Sequence, residues 1–179
     1  MFFDEHIESA AMVPHAFRNI INRYFRSGDN FHLDLRNFTK LNENCLHILK
    51  SISCIWKLSI NAYYPQIPIK KLEEFLKDLQ VTEIHVQGYI YAKITDKQNC
   101  CDRVINALIF GNATRLKKIE ISDCLLGKTF PISRFDSELN TEKIFLPCLR
   151  RIDFTNCADL NDKICLYLLR KSNKLDVSS

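Results

Sequence analysis

The side chains with the clearest capacity for chemistry in this chain are its eight cysteines and five histidines. Thiolates and imidazoles hold zinc when they recur at short, fixed spacings, as in CxxC or HExxH. The histidines are His6, His15, His32, His47 and His85. None of them stands at ligand spacing from another histidine or a cysteine, and Cys100 and Cys101 are adjacent rather than spaced for a metal ion. We therefore expect no metal site.

The motifs of common catalytic and nucleotide-binding sites are also missing from the sequence. It contains no GxGxxG and no P-loop, and its four glycines leave little room for loops that cradle phosphate. A cysteine–histidine nucleophile pair would need a cleft and an oxyanion site, which an open sheet does not readily provide. We expect no catalytic residue and no cofactor, so the chain is predicted not to be an enzyme.

Composition and charge narrow the class of protein. The 179 residues are 46% hydrophobic and 26% charged, which is typical of one globular domain and excludes a disordered chain. The net charge of +4 is spread along the chain, so we expect no nucleic-acid partner. Asp4 and Glu5 argue against a signal peptide, and no run approaches the ~20 apolar residues of a membrane span. We predict a cytoplasmic or nuclear protein without membrane contact, whose cysteines are reduced and mostly buried.

Five stretches of the chain share one spacing of apolar residues. The fullest examples are Leu149-x-x-Ile152-x-Phe154-x-x-Cys157 and Leu116-x-x-Ile119-x-Ile121-x-x-Cys124, which define slots one, four, six and nine. Units start near residues 30, 55, 81, 116 and 149, and a partial unit starts near 175. Slots four and six alternate as in a strand, so both should point into the core, and slot nine should fill the interior. The pattern predicts one short parallel strand per unit.

Helical spacing follows several of these strands. Asn42 can cap one helix with its side-chain oxygen, and Pro68 suits the first turn of a second. A third apolar stripe begins at Cys101 and is predicted to end at Gly111. Residues 1–29 are predicted to form a helical cap that covers the first strand. In the two longest units, residues 89–94 alternate like an extra strand, and residues 125–142 are predicted to form a loop.

The spacing resembles the cysteine-containing subclass of leucine-rich repeats. The similarity covers residues 30 to 175 and is closest in residues 149–169, where Leu160-Asn161-Asp162 follows Cys157. Phe38, Tyr63 and Tyr89 depart from the cysteine at slot nine. The resemblance implies an α/β solenoid, a short horseshoe with a parallel sheet on its concave face and helices on its convex face. It would occupy residues 30–179, after the cap at 1–29.

The same subclass is common in substrate receptors of cullin-type ubiquitin ligases, the F-box and Zyg-eleven-related proteins. The resemblance therefore implies a non-catalytic protein–protein interaction module, the substrate-recognition part of such a ligase, with a ligase adaptor as a further partner. Residues 12–27 are only faintly similar to the opening helix of such adaptor-binding segments, and we find no convincing F-box. The alternative is a regulatory or assembly subunit of a larger complex with no link to ubiquitin.

The side chains between the inward slots should project from the concave face and bind a protein partner. We predict that the binding residues are Phe31, Trp56, Lys57, Glu83, His85, Lys118, Glu120, Arg151 and Asp153. Phe31 and Trp56 would form an exposed aromatic anchor, with a charged rim at the other end and His85 as a solvated surface residue. In the competing interpretation, the two aromatic residues tuck under the N-terminal helix and the charges pair with one another across strands.

Overall fold

The computed structural model describes residues 31–38, 41–50, 55–88, 95–124, 126, 145–158, 160, 172 and 176–177. Several predictions from the sequence lie outside these residues. They are the helical cap at 1–29, the extra strand at 89–94 and the loop at 125–142 except for Leu126.

The described chain forms an α/β structure around one parallel sheet. The strands are β1 (Phe31–Asp34), β2 (Ile55–Asn61), β3 (Glu83–Gln87), β4 (Lys118–Ser122), β5 (Arg151–Thr155) and β6 (Asp176–Val177). Each strand pairs in parallel with the next along the chain, so their order in the sheet is their order in the sequence. This confirms the predicted α/β class and the parallel sheet.

The register of the sheet follows the predicted slots. The slot-four residues face one another across successive strands, and they are Leu33, Leu58, Ile84, Ile119 and Ile152. At slot six the aligned residues are Ile60, Val86, Ile121 and Phe154. All of these side chains are buried except Phe154, which packs half-buried against the core. Period-two alternation therefore places each apolar pair on the same face of the sheet, as expected.

The first strand differs from the prediction at Phe31. Phe31 is opposite Ile55, and His32 is opposite Lys57, so Trp56 is an extra residue in a bulge between the two pairs. Phe31 is only 5% exposed and belongs to the core. The prediction that Phe31 projects outward as a binding residue is therefore wrong. Phe31 lies two residues before Leu33, so the alternation of β1 places its ring on the apolar side, opposite Ile55.

Three helices lie between the strands in the described part of the chain, and they are α1 (Glu43–Lys50), α2 (Ile69–Asp78) and α3 (Thr95–Asn112). Asn42 caps α1 as predicted, since its Oδ1 accepts a hydrogen bond from the Cys45 amide at 3.1 Å. Pro68 directly precedes α2. None of the described helices is long and apolar enough to cross a membrane. The buried faces of all three helices join the inward strand residues in one hydrophobic core.

Gly111 does not end its helix as predicted, because α3 continues to Asn112. A Cβ atom at Gly111 would lie 2.5 Å from the carbonyl oxygen of Lys77, so the glycine allows α3 to approach α2 closely. Asn112, the last residue of α3, links this helix to the segment that precedes β3. It is fully buried, and its Oδ1 accepts a hydrogen bond from the Val81 amide at 2.9 Å.

A sixth strand extends the sheet, but its register differs by one residue from that expected of a unit starting at residue 175. Val177 is opposite Ile152, whereas a unit starting at residue 175 would place residue 178 there.

The turns that follow β4 and β5 share one backbone conformation. Asp123 and Asn156 each have φ of 52°, a left-handed geometry that Asp and Asn tolerate better than most residues. The side-chain amide of Asn156 donates a hydrogen bond from Nδ2 to Asp123 Oδ1 at 2.8 Å and links the two turns. Cys124, the next residue, is fully buried, and Cys157 is half-buried against the core, so both occupy slot nine as predicted.

The second unit fills slot nine differently. The pattern points to Tyr63, but Tyr63 is half-buried, and the adjacent Tyr64 is the buried side chain, at 2% exposure. The Tyr64 hydroxyl donates to the Leu35 carbonyl at 2.9 Å and accepts from the Asn61 amide at 3.1 Å. Tyr64 therefore joins the ends of β1 and β2 from inside the core.

Candidate binding surface on the parallel sheet

The face of the sheet opposite the helices carries the polar side chains, and we call it the polar face. Its residues, in columns across the strands, are His32, Lys57, Glu83, Lys118 and Arg151; then Asp34, Ser59, His85, Glu120 and Asp153; then Arg36, Asn61, Gln87, Ser122 and Thr155. Seven of the nine predicted binding residues belong to it. Phe31 lies in the core instead, and Trp56 lies at the bulge that begins β2.

The charged residues of the polar face pair with one another, both along a strand and across strands. Lys118 Nζ lies 2.5 Å from Glu120 Oε1 and 3.7 Å from Asp153 Oδ2, and Lys57 reaches Glu120 from the other side at 3.3 Å. Arg151 Nε lies 2.9 Å from Asp153 Oδ2. The contacts of Lys57 with Glu120 and of Lys118 with Asp153 are the cross-strand pairs that the competing interpretation expected. Together, the four cation–carboxylate contacts form one continuous row from β2 to β5.

Two lysines set the protonation of Glu120. Burial alone would raise the pKa of this carboxyl, but the adjacent ammonium groups of Lys118 and Lys57 outweigh that effect and lower it. Lys57 crosses over β3 to reach Glu120, although Glu83 is its direct neighbour on that strand. Within the described residues, Glu83 makes no ion pair. The row of ion pairs thus leaves one acid of the polar face uncompensated.

A second polar network centres on His85. Arg36 Nη1 lies 3.2 Å from His85 Nδ1, and His85 Nε2 lies 3.0 Å from Ser122 Oγ. A guanidinium can only donate, so Nδ1 must accept, and the ring proton sits on Nε2 and is donated to Ser122. Burial, followed by the charge of Arg36, lowers the pKa of His85. The prediction of a solvated His85 is wrong, because the ring is half-buried and bonded on both sides.

Asp34 fixes the other end of this network. Its two carboxylate oxygens accept from Arg36 Nε at 2.9 Å and from Nη2 at 2.6 Å, a bidentate geometry. The hydrogen bond with Arg36 lowers the pKa of Asp34. Asp34, Arg36, His85 and Ser122 therefore form one chain of hydrogen bonds from β1 to β4. Only His85 was among the predicted binding residues, although the alternation of the strands places all four on this face.

His32 and Ser59 form a smaller pair beside this chain. His32 Nε2 lies 2.9 Å from Ser59 Oγ, and Ser59 is fully buried. Burial is the largest cause that lowers the pKa of His32, and the charge of Lys57 adds to it. Both histidines of the polar face are thus held in the neutral form near pH 7.

A concavity of about 480 Å³ opens on the polar face over β3, β4 and β5. It is lined by His85, Glu120, Ile121, Ser122, Arg151, Asp153, Phe154 and Thr155. Five of the predicted or network residues therefore meet around one depression. The polar groups of its lining can form hydrogen bonds with a partner's backbone or polar side chains.

The two aromatic residues of the predicted surface are less exposed than expected. Phe31 is buried, and Trp56 is half-buried at the bulge. The Trp56 carbonyl accepts two hydrogen bonds from Thr82, from its amide at 2.9 Å and from its hydroxyl at 3.0 Å. These bonds fix the backbone of the bulge to β3. The described residues therefore offer no exposed pair of aromatic anchors.

Among the described residues, no group of three or more histidine, cysteine or acidic side chains is arranged to hold a metal ion. Comparison of the chain with protein-family models, with curated proteins and with solved structures found no match in any of the three.

Proposed function

We propose that this chain is a non-catalytic protein-binding module of the leucine-rich-repeat type, with the polar face as the concave surface that binds a partner. The in-register columns of outward side chains support this proposal most directly. A repeated strand spacing arranges polar groups at fixed intervals on a sheet face that the helices leave uncovered. Cys124 and Cys157 at slot nine agree with the cysteine-containing subclass.

The rigidity of the polar face supports a binding role. Lys57, Lys118, Glu120 and Asp153 are only 18–24% exposed and are held by mutual ion pairs. Ordering flexible charged side chains on binding costs about 0.5–1.5 kcal/mol for each one immobilised. Side chains that are already ordered avoid much of that loss, so this face can bind a partner with little rearrangement.

The thiols and imidazoles support a non-catalytic role. A nucleophilic cysteine needs a lowered pKa. Instead, a hydrogen bond with Cys101, together with burial, strongly raises the pKa of Cys124. Burial likewise raises the pKa of Cys45 and of Cys157. His85 is engaged at both ring nitrogens, which leaves it no free nitrogen to act as a base.

The more specific proposal is substrate recognition in a cullin-type ubiquitin ligase, in the cytosol or nucleus. It rests on the resemblance of the repeat spacing to such receptors. The alternative is a regulatory or assembly subunit without a ubiquitin link. Only the ligase role requires a ligase adaptor, so the proteins that bind to the chain distinguish the two roles.

Affinity purification of the tagged chain from its own cells, with quantitative mass spectrometry, tests both levels of the proposal. Thr155→Arg places a bulky side chain at the concavity, and Asn44→Arg makes the same charge change on the exposed surface of α1. We expect partners that bind the wild type and Asn44→Arg to be lost from Thr155→Arg. If Thr155→Arg retains every partner, the polar face is not the binding surface.

Cullin and a Skp-type or elongin-type adaptor in all three purifications would support the ligase role, because the adaptor is expected to bind away from the polar face. Their absence from all three, with other partners retained, would favour the assembly subunit.

A further inference from the structure

Two cations at one edge of the polar face form no ion pair within the described residues, and a third lies beside them. We define the basic rim as Lys117, Arg150 and Arg151, at the start of β4 and β5. Lys117 and Arg150 are both exposed, and neither forms an ion pair within the described chain. They lie on adjacent chain segments, since the Arg150 amide donates to the Lys117 carbonyl at 2.9 Å.

Arg151 adds a partly available guanidinium to the rim. Its side chain is 56% exposed, and its bonds to both oxygens of Asp153 come from Nε, at 2.9 and 3.0 Å. The two terminal nitrogens therefore still point donors toward solvent. By contrast, Lys57 and Lys118 are directed to Glu120, and Arg36 is directed to Asp34.

The basic rim thus places three cations together, and the described residues compensate only the charge of Arg151. Neighbouring parallel segments lie about 4.8 Å apart, so the like charges of Lys117 and Arg150 repel each other. A carboxylate placed between them would relieve that repulsion. An arginine can also bind a carboxylate through two parallel hydrogen bonds, which adds direction to the attraction.

We propose that the basic rim binds a short acidic segment, a run of Asp and Glu residues, of the protein partner. This inference rests on the proposed function and specifies the chemistry of its partner. Nucleic acid fits less well, because its affinity comes from the neutralisation of many phosphates. Here the rim supplies three cations, and the acids Glu83, Glu120 and Asp153 lie just beyond it and would repel a continuing phosphate chain.

Fluorescence anisotropy with three labelled probes tests the inference. The probes are a peptide containing six alternating Asp and Glu residues, the same peptide with Asn and Gln in their place, and a single-stranded RNA of eight nucleotides. The proteins are the wild type, the double variant Lys117→Glu/Arg150→Glu, and the control Lys70→Glu/Lys71→Glu on the exposed surface of α2. Circular dichroism checks that all three proteins are folded.

We expect the acidic peptide to bind the wild type and the control equally, and the rim variant at least roughly tenfold more weakly. Binding should weaken between 50 and 300 mM salt, as is general for exposed charge pairs. The neutral peptide should not bind. Equal binding of the acidic peptide to the rim variant, no binding to the wild type, or tighter binding of the RNA than of the peptide would each overturn the inference.

Failure of this inference is distinguishable from failure of the proposed function. Partners lost from Thr155→Arg, combined with no binding of the acidic peptide, would reject the acidic segment and leave the binding face intact. Acidic peptide binding at the rim, with all partners retained by Thr155→Arg, would reject the polar face as the site of those partners.

Discussion

Tyr64 gives the sharpest test of how this chain holds its first two strands together. The Leu35 amide donates to the Ser59 carbonyl at 2.8 Å, which continues the β1–β2 ladder past the end of β1. In a parallel ladder, the next hydrogen bond would run from the Asn61 amide to the Leu35 carbonyl. The Tyr64 hydroxyl stands between these two groups and bonds to both. It therefore replaces one direct hydrogen bond of the ladder.

Tyr64→Phe removes only this hydroxyl and keeps the buried ring. The Leu35 carbonyl retains a hydrogen bond from the Phe38 amide at 3.1 Å, so the Asn61 amide suffers the larger loss. A buried donor without an acceptor costs about 1–3 kcal/mol, so we expect the free energy of unfolding to fall by about 2 kcal/mol. For a chain of this length, that corresponds to a melting temperature roughly 4–8 °C lower.

Urea unfolding followed by circular dichroism measures the change, with an unchanged slope showing that the denatured state is the same. Tyr63→Phe is the matched control. At this half-exposed site, water can replace a lost partner, so we expect a loss below about 0.5 kcal/mol. Equal losses for the two variants would contradict the assignment of the bridge to Tyr64. No loss in Tyr64→Phe would mean that the strands close directly without the hydroxyl.

Three further predictions concern the turns, the histidines and the thiols. Gly88→Ala should lower the free energy of unfolding by about 1–3 kcal/mol in the same urea assay, because its Cβ would lie 2.5 Å from the backbone oxygen of Asp123. The free energy of unfolding should fall as the pH drops from 7.5 to 5.5, because the pKa values of His32 and His85 are lowered in the folded state and the unfolded chain therefore binds more protons. His85→Gln should reduce this dependence on pH, and a flat profile for the wild type would contradict the reasoning. Iodoacetamide labelling with peptide mapping should modify the half-buried Cys148 and Cys157 before the buried thiols of the described residues, which are Cys45, Cys100, Cys101 and Cys124. Faster labelling of those four would contradict their burial.

The sequence predicts the middle of the sheet well because two independent patterns agree there. Alternation within each strand decides which residues face the core, and the fixed spacing between units decides which residues pair. Leu58, Ile84 and Ile119 satisfy both conditions, and a slip of one residue would expose all of them.

At the ends of the strands, the same patterns do not determine the structure. At Phe31 the two patterns conflict, because the slot numbering assigns it to the outer face whereas alternation from Leu33 assigns it to the core, and the core assignment is correct. The bulge at Trp56 depends on how β1 meets β2 rather than on either strand alone. Tyr63 and Tyr64 present a similar choice, because both are large and adjacent. Only the gap between the Asn61 amide and the Leu35 carbonyl selects Tyr64.

The columns of the polar face could be written from the sequence, but its pairings could not. Lys57 has Glu83 as its nearest neighbour in register and nevertheless pairs with Glu120, two strands away. A lysine side chain is long enough to cross one strand, so neighbourhood in register does not fix its partner. The shared position of Glu120 between Lys57 and Lys118 decides the pairing, and that position exists only in the folded sheet.

These pairings give the interior of the polar face and the basic rim different electrostatic properties. Inside it, Glu120 and Asp153 neutralise their cations, so these groups gain little from binding another charge. Exposed pairs contribute at most about 1 kcal/mol each, so the interior network contributes mainly a fixed shape. The basic rim remains open to an opposite charge, and changes there should act on association rate and salt dependence. In the proposed binding mode, the interior of the face therefore sets the geometry that a partner must match, and the rim attracts a partner of opposite charge.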